Sequence, residues 1–239
     1  NKTSPLCDAI TYTRGLEKIY REIWQEWCSE KEVNSVKHSD SSPEIPKIES
    51  FNALIQQAIQ FNTLGTLQAE QGNLERAIEF YQKALEYDPN YHPSYNNLGV
   101  TYTRLGELEK AKICYEKALA IEPELLDIRF NLGNLCHQQG ELDAAISHYA
   151  QIILQSPAYV SAYLNLGNVF RDQGLKERAA EYYLVVTKLQ PENYQAYNNL
   201  GTVLLEQGNK EKACEYFEAA LRIYPQYEVA KTNLQSLRN

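Results

Sequence analysis

A strict period of 34 residues constrains the fold of this chain more than any other feature of its sequence. With repeats that start at residues 58, 92, 126, 160 and 194, position 7 is always Leu, positions 8 and 15 are always Gly, and position 20 is always Ala. Position 32 is always Pro, and position 24 is always aromatic: Tyr81, Tyr115, Tyr149, Tyr183 and Phe217. Self-similarity at such a period indicates a short unit that buries its apolar face by stacking on its copies.

The period and these residues resemble the tetratricopeptide repeat, in five tandem copies. This resemblance predicts an all-α helical solenoid of helix-turn-helix repeats over residues 50–227, namely 58–91, 92–125, 126–159, 160–193 and 194–227, with a capping helix at 228–239. Positions 8 and 20 are small, which lets the two helices of a repeat approach closely, and the aromatic residue at position 24 is expected to fill the space between repeats. Gly at position 15 is expected to end the first helix in a left-handed turn, and Pro at position 32 to stop the second helix.

Both ends of the array carry further helical pattern. Upstream of the first repeat, apolar residues already follow the helical period: Phe51, Leu54, Ile55, Ala58 and Ile59. The last segment has an apolar face with Val229, Ala230, Leu234 and Leu237, and a polar face with Lys231, Asn233, Gln235 and Arg238. A polar outer face is what the terminal helix of a solenoid requires.

An Asn stands directly before Leu-Gly, at position 6, in four consecutive repeats: Asn97, Asn131, Asn165 and Asn199. The tetratricopeptide resemblance implies that positions 5, 6, 9 and 12 face a concave groove, which adds the candidates Asn62, Asn96, Asn198, Asn134, Asn168, Phe130 and Arg171. A carboxamide complements the hydrogen-bonding groups of a peptide. The ladder therefore predicts binding of extended protein or peptide segments, with one contact about every third residue of the ligand. The alternative is that these asparagines cap or bridge neighbouring helices.

The third repeat departs from its copies, because Arg129 stands at position 4, where the others have Phe or Tyr. Either this repeat is locally distorted, or the neighbouring Phe130 offers an apolar contact to a ligand. Chaperone-binding tetratricopeptide domains hold a C-terminal carboxylate with Lys, Arg and Asn. The corresponding positions here carry Asn62, Asp127 and Asn131, so binding of chaperone tails is not expected.

The first 30 residues lie outside the repeats and resemble the end of the catalytic domain in the SPINDLY and O-GlcNAc transferase family. The matching residues are Ser4, Pro5, Leu6, Asp8, Tyr12, Leu16, Glu17, Tyr20 and Trp24. In that family an asparagine ladder holds the acceptor polypeptide. Residues 31–49 are polar, contain Ser and Pro and show little periodicity, which predicts a linker. The resemblance implies that the repeats are the substrate- or partner-recruiting arm of an O-linked sugar transferase. The alternative is a structural or self-assembly module unrelated to a transferase.

The same N-terminal segment has a wide apolar face at helical spacing, formed by Leu6, Ile10, Tyr12, Leu16, Ile19, Tyr20, Ile23, Trp24 and Trp27. Burial of each large apolar side chain is worth about 1.5–3 kcal/mol. We therefore expect this helix to dock on its own repeats or on a second copy of the chain, and tryptophan fluorescence with solution mass tests this.

Composition disfavours several other functions. The formal charge of -8 opposes binding to nucleic acid or anionic membranes, and no apolar run is long enough to span a bilayer. Five cysteines without a C-x-x-C pair fit reduced thiols and a cytoplasmic location. The four histidines lack metal-ligand spacing, so the sequence predicts no metal, no cofactor and no enzymatic activity, unless catalysis uses a site that the sequence does not reveal.

Overall fold

The chain divides into the units Asn1–Pro46 and Lys47–Asn239. A computed structural model describes residues 48–238, and the expectations for the N-terminal helix and for residues 31–47 of the linker lie outside this range. Residues 48–238 contain eleven α-helices and no strand. The helices are α1 (Ile48–Glu70), α2 (Leu74–Tyr87), α3 (His92–Leu105), α4 (Leu108–Ile121), α5 (Leu126–Gln138), α6 (Leu142–Gln155), α7 (Val160–Asp172), α8 (Lys176–Leu189), α9 (Tyr194–Glu206), α10 (Lys210–Ile223) and α11 (Glu228–Arg238).

The helices form five sequential pairs followed by α11, which confirms the predicted all-α solenoid. The two helices of each pair pack on each other, and each second helix also contacts the first helix of the next repeat. First helices of successive repeats make a further contact with one another. The first helices α1, α3, α5, α7 and α9 therefore lie side by side along one face of residues 48–238. This is the face on which the sequence predicts a binding groove.

The first helix, α1, is longer than the other first helices, with 23 residues against the 14 of α3. It begins at Ile48, so the last two residues of the predicted linker are helical. The expected upstream extension of the first repeat is present. Ile55 and Ala58 are buried, whereas Leu54 is 45% exposed.

The glycine at position 8 packs against the aromatic ring at position 24 of its own repeat. A Cβ atom added to Gly99 would lie 2.5 Å from Tyr115 Cε1, and one added to Gly167 would lie 2.6 Å from Tyr183 Cε1. The ring also reaches the next repeat, because the hydroxyl of Tyr149 lies 3.5 Å from Nδ2 of Asn165. The rings of Tyr115, Tyr149 and Tyr183 belong to a core cluster that runs from the second to the fifth repeat, whereas Tyr81 and Phe217 lie in smaller clusters at the two ends.

The glycine at position 15 adopts a left-handed backbone conformation in every repeat, as the sequence predicts. Its φ lies between 77° and 84° at all five positions. At the end of α5, the Gly140 amide donates to the carbonyl of His137, and the Glu141 amide donates to the carbonyl of Cys136. These two bonds satisfy carbonyls that the helix end leaves free and turn the chain into α6.

The terminal helix α11 closes the core of the fifth repeat. Leu234 packs in one cluster with Ala213 and Phe217, and Ala230 is fully buried. Val229, which the sequence pattern assigns to the apolar face, is 50% exposed. The predicted apolar face is therefore covered at Ala230 and Leu234 but not at Val229, in the first turn of α11.

Candidate functional site

Each asparagine at position 6 donates a hydrogen bond to an asparagine of the preceding repeat. The donor is Nδ2 and the acceptor is Oδ1 at every junction. The bonds are Asn97 to Asn62 (3.0 Å), Asn131 to Asn96 (3.2 Å), Asn165 to Asn134 (2.7 Å), Asn199 to Asn168 (3.2 Å) and Asn233 to Asn198 (3.1 Å). We call these ten residues the asparagine ladder. The bridging role that the sequence left open is therefore present in the structure.

The acceptor of the ladder changes position along the array. In the first, second and fifth repeats the acceptor is at position 5, whereas in the third and fourth repeats it is at position 9. Position 5 is taken by Phe130 in the third repeat and by Leu164 in the fourth, and both side chains pack against the core. The acceptor therefore lies one helical turn further along at Asn134 and Asn168, about 6 Å along the helix axis.

Tyrosine hydroxyls fix the orientation of the two acceptors at position 9. The hydroxyl of Tyr149 donates to Oδ1 of Asn134 at 2.7 Å, and the hydroxyl of Tyr183 donates to Oδ1 of Asn168 at 2.7 Å. Each of these oxygens accepts a second bond from position 6 of the next repeat. Burial raises the pKa of both tyrosines to about 12, so each hydroxyl keeps its proton and remains a donor at neutral pH.

The position-6 amides retain hydrogen-bonding capacity after the bridge is made. Each carboxamide has two N–H donors and an oxygen with two lone pairs, and the bridge uses one N–H. Within residues 48–238, no protein donor reaches Oδ1 of Asn97, Asn131 or Asn165, and these side chains are half-buried. At Asn199 the oxygen accepts from Nδ2 of Asn198 at 3.4 Å. Each of these amides can therefore still present a donor and an acceptor to a ligand. At Asn165 the amide nitrogen has one further contact, of 3.5 Å, to the hydroxyl of Tyr149.

The remaining predicted groove residues differ in how accessible they are. Asn198 is only 4% exposed, because its oxygen accepts the bond from Asn233 in α11. The Asn198 amide therefore bridges two helices and is little accessible to a ligand. Arg171 is partly exposed and lies 3.5 Å from Asp172, the next residue in the chain. This carboxylate also lies 2.8 Å from Nε2 of His137 in the preceding repeat.

The third repeat is not distorted by Arg129, since α5 runs without interruption. The guanidinium of Arg129 donates to the side chain of Gln151 and to the carbonyl of Pro123 at 2.7 Å. Phe130 is half-buried between the rings of Tyr149 and Tyr159, with centroid distances of 5.8 and 5.5 Å. Phe130 is thus anchored in the core, and its contact with a ligand remains a prediction.

Three members of this site were not among the sequence candidates. Asn233 follows Asn199 by 34 residues and so occupies position 6 of a sixth unit, a signal that the sequence contained. The sequence pattern predicts only a packing role for Tyr149 and Tyr183. The signal for them is that Tyr at position 24 coincides with Asn at position 9 in the third and fourth repeats only.

Residues 48–238 hold neither a candidate metal site nor a candidate membrane span. In this range no group of three or more His, Cys, Asp or Glu side chains could hold a metal ion. None of these eleven helices combines the length and the apolar character that a bilayer span requires. Cys114 and Cys136 are free, buried thiols, and burial raises the pKa of each to about 11.

Family models of the tetratricopeptide repeat match most of the array. Residues 164–228 and residues 93–153 match two models described as tetratricopeptide repeat, and residues 65–106 and 133–174 match a model described as TPR repeat. Together these matches run from residue 65 to residue 228, more than two thirds of the chain. No curated protein sequence matches.

Several solved structures are similar to this chain over nearly the whole of their own length. A crystal structure of YrrB, described as a TPR protein with an unusual peptide-binding site, is 26% identical with a TM-score of 0.63, and the match covers 78% of this chain and 98% of that chain. Two crystal structures of MamA are 25% and 27% identical, with TM-scores of 0.64 and 0.63. They match 72% and 69% of this chain, and 94% and 96% of their own.

Proposed function

Because the chain belongs to the tetratricopeptide repeat family, we propose that its repeats are an interaction scaffold that binds extended polypeptide along the asparagine ladder. The description of YrrB as a peptide-binding TPR protein, at 26% identity over nearly its whole length, supports a peptide as the ligand. The position of the ladder on the first helices, which lie side by side along one face, supports the place of binding. The ligand-facing residues we propose are Asn97, Asn131, Asn165 and Asn199.

The single observation that carries this proposal is the pair of hydrogen-bonding groups left on each position-6 amide. The bridge to the preceding repeat holds the amide in one orientation, so its remaining N–H and oxygen do not have to be ordered when a ligand arrives. Groups that are ordered before binding lose less entropy on association. A peptide group carries one donor and one acceptor, which matches the pair. The bridging role and the binding role therefore use different atoms of the same side chain.

The spacing of the ladder fits an extended chain. Neighbouring helices pack roughly 8–10 Å apart, and an extended polypeptide advances about 3.3–3.6 Å per residue. Successive rungs would meet the ligand backbone about every third residue. Each neutral hydrogen bond contributes only about 0.5–1.5 kcal/mol. We expect dissociation constants of about micromolar or weaker, with selection for extended backbone more than for sequence.

The test uses a dodecapeptide selected from a displayed random library against the full 239-residue chain. Replacement of all four position-6 asparagines by Ala should weaken its binding by at least about thirtyfold, because four hydrogen bonds are lost. Fluorescence polarisation measures the affinity, and circular dichroism checks that the helices remain. Unchanged affinity would contradict the proposal, and a mass that rises with concentration would then favour a self-assembly module.

A matched control separates binding from bridging. The double variant Asn62→Ala, Asn96→Ala removes two bridge acceptors but keeps the amides of Asn97 and Asn131. The double variant Asn97→Ala, Asn131→Ala removes the bridges and the proposed ligand contacts together. Both variants should lose similar stability in urea, while the second should lose clearly more affinity. Equal losses of affinity would mean that the ladder acts on the ligand only through the shape of the groove.

We further propose that the bound polypeptide is the substrate or partner of an O-linked sugar transferase of the SPINDLY and O-GlcNAc transferase type. The support is the resemblance of residues 4–24 to the end of that catalytic domain, together with the asparagine ladder. The full chain, added to such a transferase, should compete for acceptor polypeptides and lower sugar transfer in proportion to its concentration. The four-Ala variant is the control, and equal inhibition by both chains would contradict the proposal.

A further inference from the structure

A shallow depression lies on the first-helix face at the junction of the third and fourth repeats. Its volume is about 200 Å³, and it is lined by Asn134, His137 and Gln138 of α5 and by Asn165 of α7. Pockets for whole small-molecule ligands are larger, from about 300 Å³ upward. The size of the depression therefore suits a single side chain of a bound polypeptide.

The donors in this depression are held in place from behind. Oδ1 of Asn134 accepts bonds from the hydroxyl of Tyr149 and from Nδ2 of Asn165, both at 2.7 Å. Because the amide oxygen is turned towards these two donors, the amide nitrogen of Asn134 and its two N–H groups are turned away from them. A flip of this amide would break both bonds. The depression therefore has a fixed pair of donors.

Acceptors lie beside these donors. Oδ1 of Asn165 is free of protein donors within residues 48–238. Nε2 of His137 lies 2.8 Å from the Asp172 carboxylate, which only accepts, so this nitrogen donates to it. Gln138 is exposed and adds one oxygen and one NH₂ group. The lining thus combines donors and acceptors in one small space.

The charges around the depression oppose a charged occupant. The Asp172 carboxylate is shared between His137 and Arg171, at 2.8 and 3.5 Å. A ligand carboxylate would face the acceptor oxygen of Asn165 and the nearby Asp172 carboxylate. A ligand ammonium group would face the fixed N–H groups of Asn134. A neutral group with both a donor and an acceptor has no such conflict.

We propose that this depression binds the carboxamide side chain of an Asn or Gln in the bound polypeptide. This inference rests on the proposed groove function and adds a preference for one residue type at one point of the ladder. The junction between the fourth and fifth repeats has Asn168 and Asn199 at the matching positions, but Arg171 and Asp172 replace His137 and Gln138. The combination of His137 and Gln138 with these two asparagines is thus specific to the junction of the third and fourth repeats.

Selection from the displayed dodecapeptide library against the full chain tests the preference. Sequencing should show Asn and Gln enriched at one position of the bound peptides. In the best such peptide, exchange of this residue for Ala or Glu should weaken binding about tenfold, because two or more neutral hydrogen bonds are lost. The same exchange elsewhere in the peptide should have little effect.

Variants of the protein locate the preference. Gln138→Ala and Tyr149→Phe should each reduce the tenfold difference to about threefold or less, since the first removes a contact and the second releases the Asn134 amide. Phe217 occupies the Tyr149 position in the fifth repeat, so the fold accommodates a Phe there. Glu206→Ala, at the Gln138 position of the fifth repeat, is the matched control and should leave the difference unchanged.

The outcomes distinguish this site from the ladder as a whole. Peptides that need the four position-6 asparagines but show no carboxamide preference would overturn this inference and leave the groove function standing. Enrichment of Asp or Glu would overturn it in favour of an anionic side chain. A carboxamide preference that is unchanged in both Gln138→Ala and Tyr149→Phe would show that the carboxamide binds in another part of the groove, which would also overturn this inference. Failure to select any ladder-dependent peptide would overturn both proposals.

Discussion

Replacement of Gly167 by Ala should destabilise the fourth repeat through a clash with Tyr183. The new Cβ atom would lie 2.6 Å from Cε1 and 2.9 Å from Cδ1 of a ring that is fully buried. Overpacking of a tight core costs about 1–3 kcal/mol. Ala in a helix interior recovers about 0.5–1 kcal/mol relative to Gly. We expect a net loss of about 1–2 kcal/mol in the free energy of unfolding.

A double-mutant cycle identifies the cause of this loss. Urea unfolding, followed by circular dichroism, gives the free energy for the wild type, Gly167→Ala, Tyr183→Leu and the double variant. Leu lacks the ring atoms that meet the new Cβ, so the double variant should be more stable than the sum of the single effects predicts. The coupling should be at least about 1 kcal/mol, within the range for residues in contact.

The control for this cycle is Gly174→Ala. Gly174 has a φ of 77° and no neighbour within 4 Å of an added Cβ, so Ala there is strained but does not clash. Its cost of about 1–2 kcal/mol should add to that of Tyr183→Leu without coupling. A neutral or stabilising Gly167→Ala, or coupling no larger than that of the control, would refute the view that Gly at position 8 is required by the ring.

Three further predictions follow from the same contacts. Burial raises the pKa of Tyr149 and Tyr183 to about 12. Their contribution to the free energy of unfolding should therefore be complete below about pH 10, the ordinary tyrosine pKa, and should be lost as the pH rises to about 12. Absorbance titration and urea unfolding measure this loss. The buried thiols of Cys114 and Cys136, with a pKa of about 11, should react with an aromatic disulfide reagent only after urea unfolding, and rapid modification in the native chain would contradict their placement. Asn233→Ala should lower the free energy of unfolding by about 0.5–1.5 kcal/mol, whereas Gln235→Ala, on the exposed side of the same helix, should leave the urea midpoint unchanged.

The asparagine ladder shows where inference from the sequence stopped. The repeated Asn before Leu-Gly was visible as a line of residues, because equal positions in stacked repeats lie side by side. Its hydrogen-bond partners were not visible, since the offset between neighbouring helices decides whether position 5 or position 9 of the preceding repeat is within reach. Phe130 and Leu164 occupy position 5 in two repeats and pack on the core, and only the tertiary structure shows that the acceptor is then Asn134 or Asn168.

The sequence by itself determined the repeat length, the number of repeats, the helix ends and the identity of the close-packed positions. These properties repeat every 34 residues, and each depends on local chemistry, such as the left-handed turn at position 15. The tertiary structure decided which atoms of each asparagine are bound inside the solenoid and which remain for a ligand. It also decided that Gly at position 8 contacts the ring at position 24. Contacts between two helices depend on their relative rotation, and the sequence of one helix does not specify that rotation.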